Sequence, residues 1–309
     1  MNPTTADLLG TASRWVAFMA TLVVLGACGF RIRIRRALIP AGPEILADAD
    51  RRTARTGMLA ASVLLTFLVV KLVAQAGSFV EPGEPMTSDL VAVVVGNTAW
   101  GKGWISQMLA AGLAIAGFGV ALSHRAGWPM AFIGATTVAL ATPLTGHATT
   151  ADRAGVWGYP LDVLHVLGSG VWLGSLAVMI LAGFVAVRRA EPADRGRHVA
   201  AMVGAFSSLA LIGATVLGIA GTLLAARYFD WSLSALWTSG YGRTLGLKLI
   251  TLAGIAGIGG YNWKVLTPLL GTAEGVRRVT RSSLIELALG TVLLLLTAVL
   301  VHLPMPGEE

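Results

Sequence analysis

Residues 159–176 read Tyr-Pro-Leu-Asp-Val-Leu-His-Val-Leu-Gly-Ser-Gly-Val-Trp-Leu-Gly-Ser-Leu, an apolar run that contains one acid and one imidazole. Proline is favoured in the first turn of a helix, so we predict a helix that begins at Pro160. Steps of three or four residues put four side chains on one face of this helix, namely Asp162, His165, Ser169 and Trp172. Ionisable groups inside a membrane are costly and usually functional, which makes this face the first candidate site.

The same stretch contains small residues that favour close helix packing. Gly170 and Gly174 form a small-xxx-small pair, which lets the backbone of a neighbouring helix approach closely. We therefore expect this helix to lie inside a bundle and not at its edge.

The composition indicates a membrane protein. Of the 309 residues, 55% are hydrophobic and 13% are charged, with a mean hydropathy of +0.74. Soluble proteins carry about a quarter of charged residues, so the chain is predicted to be an all-α, polytopic bundle in a lipid bilayer. The net charge of +7 comes from arginines at helix ends, and we expect no nucleic-acid partner. The single cysteine, Cys28, excludes a disulfide or a Cys-x-x-Cys metal site within the chain.

Apolar runs of about 20 residues predict about eight membrane-spanning helices. They are Trp15–Phe30, Gly57–Phe79, Gly103–Ser123, Trp128–His147, Pro160–Val187, Val199–Ala226, Arg243–Leu266 and Ser282–Leu303. No repeat or composition shift divides the sequence, so residues 1–309 are predicted to form a single transmembrane bundle. The first run lacks the basic region of a signal peptide and ends in arginines, and we expect it to be retained as a span.

The arginine distribution predicts the orientation. One loop carries seven arginines, namely Arg31, Arg33, Arg35, Arg36, Arg51, Arg52 and Arg55. A second loop carries Arg188, Arg189, Arg195 and Arg197. The positive-inside rule places both loops in the cytoplasm, which puts both termini outside the cell.

This orientation sorts the histidines. His124 and His198 fall at cytoplasmic helix ends, whereas His147, His165 and His302 fall at or near outer ends. His147 and His165 belong to adjacent helices, and imidazole is a favoured ligand of copper, zinc and haem iron. Asp162, one turn before His165, is placed to hold the second ring nitrogen. Solvation at a helix end is the other interpretation for His147, and it is favoured for His302.

Other polar residues in the apolar runs have simpler interpretations. Lys71 and Lys248 lie in outer halves, where their ammonium groups can snorkel to the surface. Glu286 is placed to pair with Lys264, although Asp162 and Glu286 are also candidates for a proton relay. Met305 in the outer tail could add a thioether ligand for Cu(I). No sequence motif of a hydrolase, metalloprotease or phosphate-binding enzyme is present, and we expect no catalytic activity.

Two blocks of sequence resemble the copper resistance protein D (CopD/PcoD) family. The first joins Gly146-His147 to Leu161-Asp-Val-Leu-His-Val-Leu-Gly-Ser-Gly-Val-Trp-Leu-Gly-Ser-Leu176. The second is Tyr241-Gly-Arg-Thr-Leu-Gly-Leu-Lys-Leu249, which continues to Tyr261-Asn-Trp-Lys264 and Pro268. The resemblance covers about residues 145–270, while the first four helices match in length and topology. Trp263-Lys264 departs from the more basic pair that is common in the family.

The resemblance implies a bacterial cytoplasmic (inner) membrane protein for copper uptake or resistance, working beside a periplasmic copper carrier. The residues that it carries over are His147, His165 and Trp172 in the first block, and Arg243, Lys248 and Asn262 in the second. The leading hypothesis is therefore a protein that accepts copper ions at an outer histidine site and moves them across the membrane. The alternatives are a haem b electron carrier, with His147 and His165 as axial ligands, and a structural partner subunit with buried histidines.

Overall fold

The computed structural model describes residues 3–81, 84–146, 156–228 and 235–303, and within these ranges it is helical without any β-strand. The main helices are α1 (Pro3–Ile32), α2 (Pro43–Gly77), α3 (Ser88–Asn97), α4 (Ala99–Ala121), α5 (Gly127–Ala141), α6 (Gly158–Val187), α7 (Pro192–Tyr228), α8 (Ala235–Thr238), α9 (Gly240–Leu269) and α10 (Ala273–Leu300). The predicted all-α, polytopic membrane bundle is confirmed.

Seven of the described helices are long and apolar enough to cross a membrane, namely α1, α2, α4, α6, α7, α9 and α10. The fourth predicted span corresponds to α5, which has 15 residues and ends one residue before a short 3₁₀ turn, Pro143–Thr145. Because a 15-residue helix is shorter than the hydrocarbon core is thick, the count of eight stays a prediction, as does the outside position of both termini.

Helix α6, which contains the quoted stretch, is the centre of the bundle. In the most apolar stretch of α6, 83% is buried inside the protein, whereas the corresponding figure for α9 is 6%. Helix α1 packs along α6 and also contacts α2, α5 and α10. The prediction that the histidine-bearing helix lies inside a bundle is therefore confirmed. Helix α9, in contrast, lies at the edge of the bundle with most of its surface exposed.

Helices α1 and α6 cross at two glycines. A Cβ atom added to Gly174 would lie 1.8 Å from the carbonyl oxygen of Leu22, and one added to Gly26 would lie 2.0 Å from the carbonyl carbon of Gly174. Gly170 belongs to the same contact, since a Cβ atom added to it would lie 2.5 Å from Cβ of Leu25. The backbones touch here, as the spacing of Gly170 and Gly174 predicts.

Ion pairs join the arginine-rich loops at one end of the bundle. Asp50 near the start of α2 accepts a hydrogen bond from Arg35 at 2.7 Å. Asp48, which is buried, pairs with Arg52 at 2.6 Å and with Arg189 after α6 at 3.4 Å. The two loops that the positive-inside rule assigns to the cytoplasm therefore lie together.

Two of the long helices are not regular throughout. Gly170–Gly174 and Met179–Phe184 in α6 form π-helical turns, and so does Asn262–Leu266 in α9. Each π turn inserts extra residues into the helical repeat, so the side chains that follow point in new directions. Trp172 and Asn262, two of the residues carried over from the family resemblance, lie in such turns.

Candidate functional site

A cavity of about 440 Å³ opens at the end of the bundle opposite the arginine-rich loops. It lies between α1, α2, α6, α7, α9 and α10, and most of its wall consists of leucine and other apolar side chains. Six ionisable side chains also line it, namely Arg14, Lys71, Asp162, His165, Tyr241 and Lys248. The predicted face of α6 contributes Asp162, His165 and Ser169 to this wall, whereas Trp172 lies outside it.

His165 is held against α7 by a glycine. A Cβ atom added to Gly221 would lie 3.1 Å from Cε1 and 3.2 Å from Nδ1 of the imidazole, so a larger residue would displace the ring. The carbonyl group of Leu217, one turn earlier in α7, interacts with the same ring. Nδ1 of His165 is buried and forms no hydrogen bond of ordinary geometry with any residue that the structure describes. An unpartnered imidazole nitrogen beside a cavity is chemically suited to bind a metal ion.

Asp162 does not hold the imidazole of His165 as the sequence suggests. Its carboxylate interacts with the charge of Lys248 on α9 instead, and Lys248 also faces His165. The expected hydrogen bond between Asp162 and His165 is absent from the structure, in which α9 brings the cation of Lys248 towards the carboxylate. Tyr241 in the first turn of α9 lies near the same carboxylate.

The two lysines predicted to snorkel point into the protein. Lys71 is 6% exposed, and its Nζ atom donates a hydrogen bond to Oγ1 of Thr145 at 2.6 Å. Lys248 lines the cavity beside Asp162. The snorkelling interpretation is therefore wrong for both residues, because polar groups on neighbouring helices provide partners inside the bundle.

The remaining predicted ligands lie at or beyond the rim. His302 is exposed, packs against Gly10 and contacts a guanidinium nitrogen of Arg14, which lines the cavity. His147 and Met305 lie outside the described residues, although Gly146, directly before His147, lines the cavity. No group of three or more histidine, cysteine, aspartate or glutamate residues gathers anywhere in the described ranges.

Three other predicted residues lie away from the cavity. The indole of Trp172 and the side-chain amide of Asn262 both hydrogen-bond the carboxyl group of Glu286, the latter at 3.4 Å. The pairing of Glu286 with Lys264 is wrong, since Lys264 is exposed while Glu286 is buried. Arg243 is also exposed and does not line the cavity, although it belongs to the same block as Lys248.

Arg14 and Tyr241 are the cavity residues that sequence reasoning missed. Tyr241 begins the second block of the resemblance but was given no role there; Ser239 caps α9 by accepting a hydrogen bond from the amide of Gly242 at 2.9 Å, and Tyr241, in the first turn after this cap, lines the cavity. Arg14 lies one residue before the first predicted span. A charge so close to an apolar run was the available signal, since such a residue near a membrane interior needs a partner.

Comparison with known proteins relates both halves of the chain to copper resistance proteins. A family model described as copper resistance protein D-like, N-terminal domain, matches residues 5–159, and one described as copper resistance protein D matches residues 200–300. The chain is also 25% identical over 313 residues to the copper transport protein CutJ of Bacillus subtilis (strain 168). That alignment covers 100% of this chain and 54% of CutJ, so the chain spans about half the length of this curated relative.

No solved structure matches the chain. The family matches confirm the resemblance that was predicted from the two blocks, and they extend it to the first helices, where only length and topology had suggested it. Neither match includes residues 160–199, which contain His165. Because the N-terminal match alone covers half of the sequence, this membrane protein belongs to the copper resistance protein D family.

Proposed function

We propose that this protein binds copper ions at the cavity end of the bundle and moves them across a bacterial cytoplasmic membrane. Membership of the copper resistance protein D family supports this function, and so does the similarity to CutJ, a copper transport protein. An extracytoplasmic copper carrier is the proposed donor. Transport, and not catalysis, is the proposed role.

The observation that carries the proposal is the burial and hydrogen bonding of the His165 imidazole. The ring lies at the wall of a cavity of about 440 Å³, and the buried Nδ1 atom forms no hydrogen bond of ordinary geometry with the described residues, although the carbonyl group of Leu217 interacts with the ring. Leaving a buried polar atom unpaired costs about 1–3 kcal/mol, so a site that keeps one is expected to use it. A copper ion would accept the lone pair of an imidazole nitrogen and remove this cost.

His147 is the proposed second ligand. Gly146, the residue directly before His147 in the sequence, lines the cavity, and this supports the choice of His147. His302 and Met305 are proposed as further ligands at the rim. Val301, directly before His302, also lines the cavity, so the end of α10 lies beside the proposed site.

The proposed direction of movement is inward along α6. Ser169 and Leu173 continue the cavity wall one and two turns below His165. Trp172, seven residues after His165 in α6, contacts the buried carboxyl of Glu286, which Asn262 also contacts. Intramembrane carboxyl groups often mark the path of an ion, and this arrangement supports an inward route.

The test is copper competition against a chelator of known affinity, with the protein in detergent. We expect His165→Ala to weaken copper binding by at least about 100-fold, beyond the range of about 10–100-fold that is typical of losing an outer-shell partner. His147→Ala should weaken binding less if rim residues replace it. Two histidines at the opposite end serve as controls, the buried His198 and the exposed His124, and their alanine variants should bind copper normally.

The same sample separates the alternatives. A Soret band in the purified protein would support the haem b electron carrier in place of copper transport. A His165→Ala variant that keeps its melting temperature and binds copper as the parent does would make His165 a structural residue. Copper uptake by vesicles that contain the purified protein then tests movement across the membrane, with His165→Ala vesicles as the control.

A further inference from the structure

We infer that the cavity contains a binding site for an amphipathic organic anion, in which Arg14 and Lys71 hold a carboxylate or phosphate group and the apolar wall holds the rest of the molecule. This inference does not depend on copper binding. It concerns the part of the cavity formed by α1, α2 and the turn after α5, which His165 does not enter; His302, a proposed rim ligand for copper, contacts Arg14 at its edge.

The first observation is an excess of positive side chains. Arg14, Lys71 and Lys248 line the cavity, and Asp162 is the one carboxylate among the described residues that line it. Asp162 interacts with Lys248, which leaves Arg14 and Lys71 next to each other as like charges. Asp7 acts on Arg14, but no carboxylate of the described ranges forms an ion pair with either residue.

The second observation is a set of unused hydrogen-bond donors. Lys71 has three N–H groups, one of which bonds Thr145, and its ammonium group lies 5.8 Å from the centre of the Trp100 ring. Nε of Arg14 is buried and has no hydrogen-bond partner among the described residues, whereas another guanidinium nitrogen contacts Nε2 of His302. Among the described residues, two N–H groups of Lys71 and the Nε–H group of Arg14 therefore lack an acceptor, which is the complement of an acceptor-only group such as a carboxylate or a phosphate.

The position of Lys71 is fixed by its surroundings. Thr145 accepts the hydrogen bond from Lys71 and lies 3.4 Å from the carbonyl oxygen of Gln107, which is itself buried and bonds Thr142 at 3.2 Å. The ammonium group thus cannot swing to the surface without breaking this chain of contacts. A cation held inside an apolar bundle is costly to leave unpaired, and a bound anion would offset that cost.

The third observation is the size and the apolar character of the cavity. One water occupies about 30 Å³ of liquid volume, so a cavity of about 440 Å³ is far larger than an inorganic anion needs. Its wall includes Phe18, Leu22, Leu217 and Leu293. Small-molecule sites of about 300–1,000 Å³ bind apolar bodies that are oriented by a few polar groups, and this cavity has that design.

The experiment compares charged and uncharged ligands of the same chain length. Native mass spectrometry of the protein in a nonionic detergent would measure binding of dodecanoate, dodecyl phosphate and the neutral methyl dodecanoate. We expect at least one of the two anions to bind one-to-one and about 10- to 100-fold more tightly than the ester, a ratio that one or two charge-assisted hydrogen bonds supply. Preference for the phosphate points to a lipid headgroup, and preference for the carboxylate points to a fatty acid or another organic acid.

The variants test the assigned residues. Lys71→Gln should reduce the affinity for the anion to that for the ester, Lys71→Arg should preserve the preference, and Lys102→Gln at an exposed lysine should change nothing. Equal binding of the anions and the ester by the parent, or binding of neither anion, would overturn the inference. These comparisons use the parent protein, so they decide the question even if Lys71→Gln does not fold. Copper competition at His165 is a separate measurement, and its failure would leave this site intact.

Discussion

The substitution Gly174→Ala tests the contact on which the position of α6 depends. The added methyl group would lie 1.8 Å from the carbonyl oxygen of Leu22, where ordinary van der Waals contact begins at 3.4 Å. The oxygen belongs to the backbone, so no side-chain rotation can relieve the clash. Helices α1 and α6 must therefore separate by roughly 1.5 Å where they cross, and much of the dispersion energy of that contact is lost. Overpacking usually costs about 1–3 kcal/mol, and we expect about 3 kcal/mol or more.

The assay uses the single cysteine of the chain. Cys28 lies two residues after Gly26 in α1 and is 6% exposed, so a thiol-reactive fluorescent dye should reach it only when α1 and α6 come apart. For a loss of about 3 kcal/mol, the midpoint of thermal labelling should fall by roughly 5–10 °C.

The matched control is Gly204→Ala in α7, where an added methyl group would meet no atom within 4 Å. Alanine has a better helix propensity than glycine, so this variant should label at the temperature of the parent or slightly above it. The reasoning is refuted if Gly174→Ala and Gly204→Ala have the same labelling midpoint, since the close crossing would then contribute nothing to stability.

Two further predictions concern topology and the buried carboxyl. In a Cys28→Ser background, single cysteines at Thr149 and Ala193 should react with an impermeant reagent from opposite faces of the membrane; labelling of both from one face would contradict the assigned orientation. Glu286→Gln should keep a carbonyl acceptor for the indole of Trp172 and melt near the parent temperature, whereas Glu286→Leu should lose about 1–3 kcal/mol by leaving that donor buried and unpaired. A Leu variant as stable as the Gln variant would show that the hydrogen bonds contribute no stability.

Composition and charge distribution were enough to predict the class of fold. The low fraction of charged residues forces nearly every segment to be a membrane helix, because backbone groups in lipid must be satisfied within the segment. The arginine loops predicted which helix ends lie together, and the ion pair of Asp48 with Arg189 joins the two loops as expected. The glycine spacing around Gly174 predicted a close crossing, because a missing side chain is the local condition for backbone contact.

The partners of the polar side chains were decided by the tertiary structure. Asp162 interacts with Lys248 and not with His165, and Trp172 bonds Glu286 on α10. In a helix that is apolar all round, hydropathy does not fix the rotation about the helix axis, so the sequence does not show which face meets which neighbour. Two of these faces are also turned by π-helical segments, which no regular period of 3.6 residues predicts.

In the cavity, too, one part was predictable from the sequence and another part depends on the tertiary structure. His165 could be selected from the sequence because an imidazole in a membrane-length apolar run is conspicuous by itself. The approach of Arg14 and Lys71 joins residues 57 positions apart on two helices, and Thr145, which completes the group, comes from a third segment. Such long-range contacts depend on how the helices pack, which is determined by the sum of many small van der Waals contacts along α1, α2 and α6 and not by any local signal in the sequence.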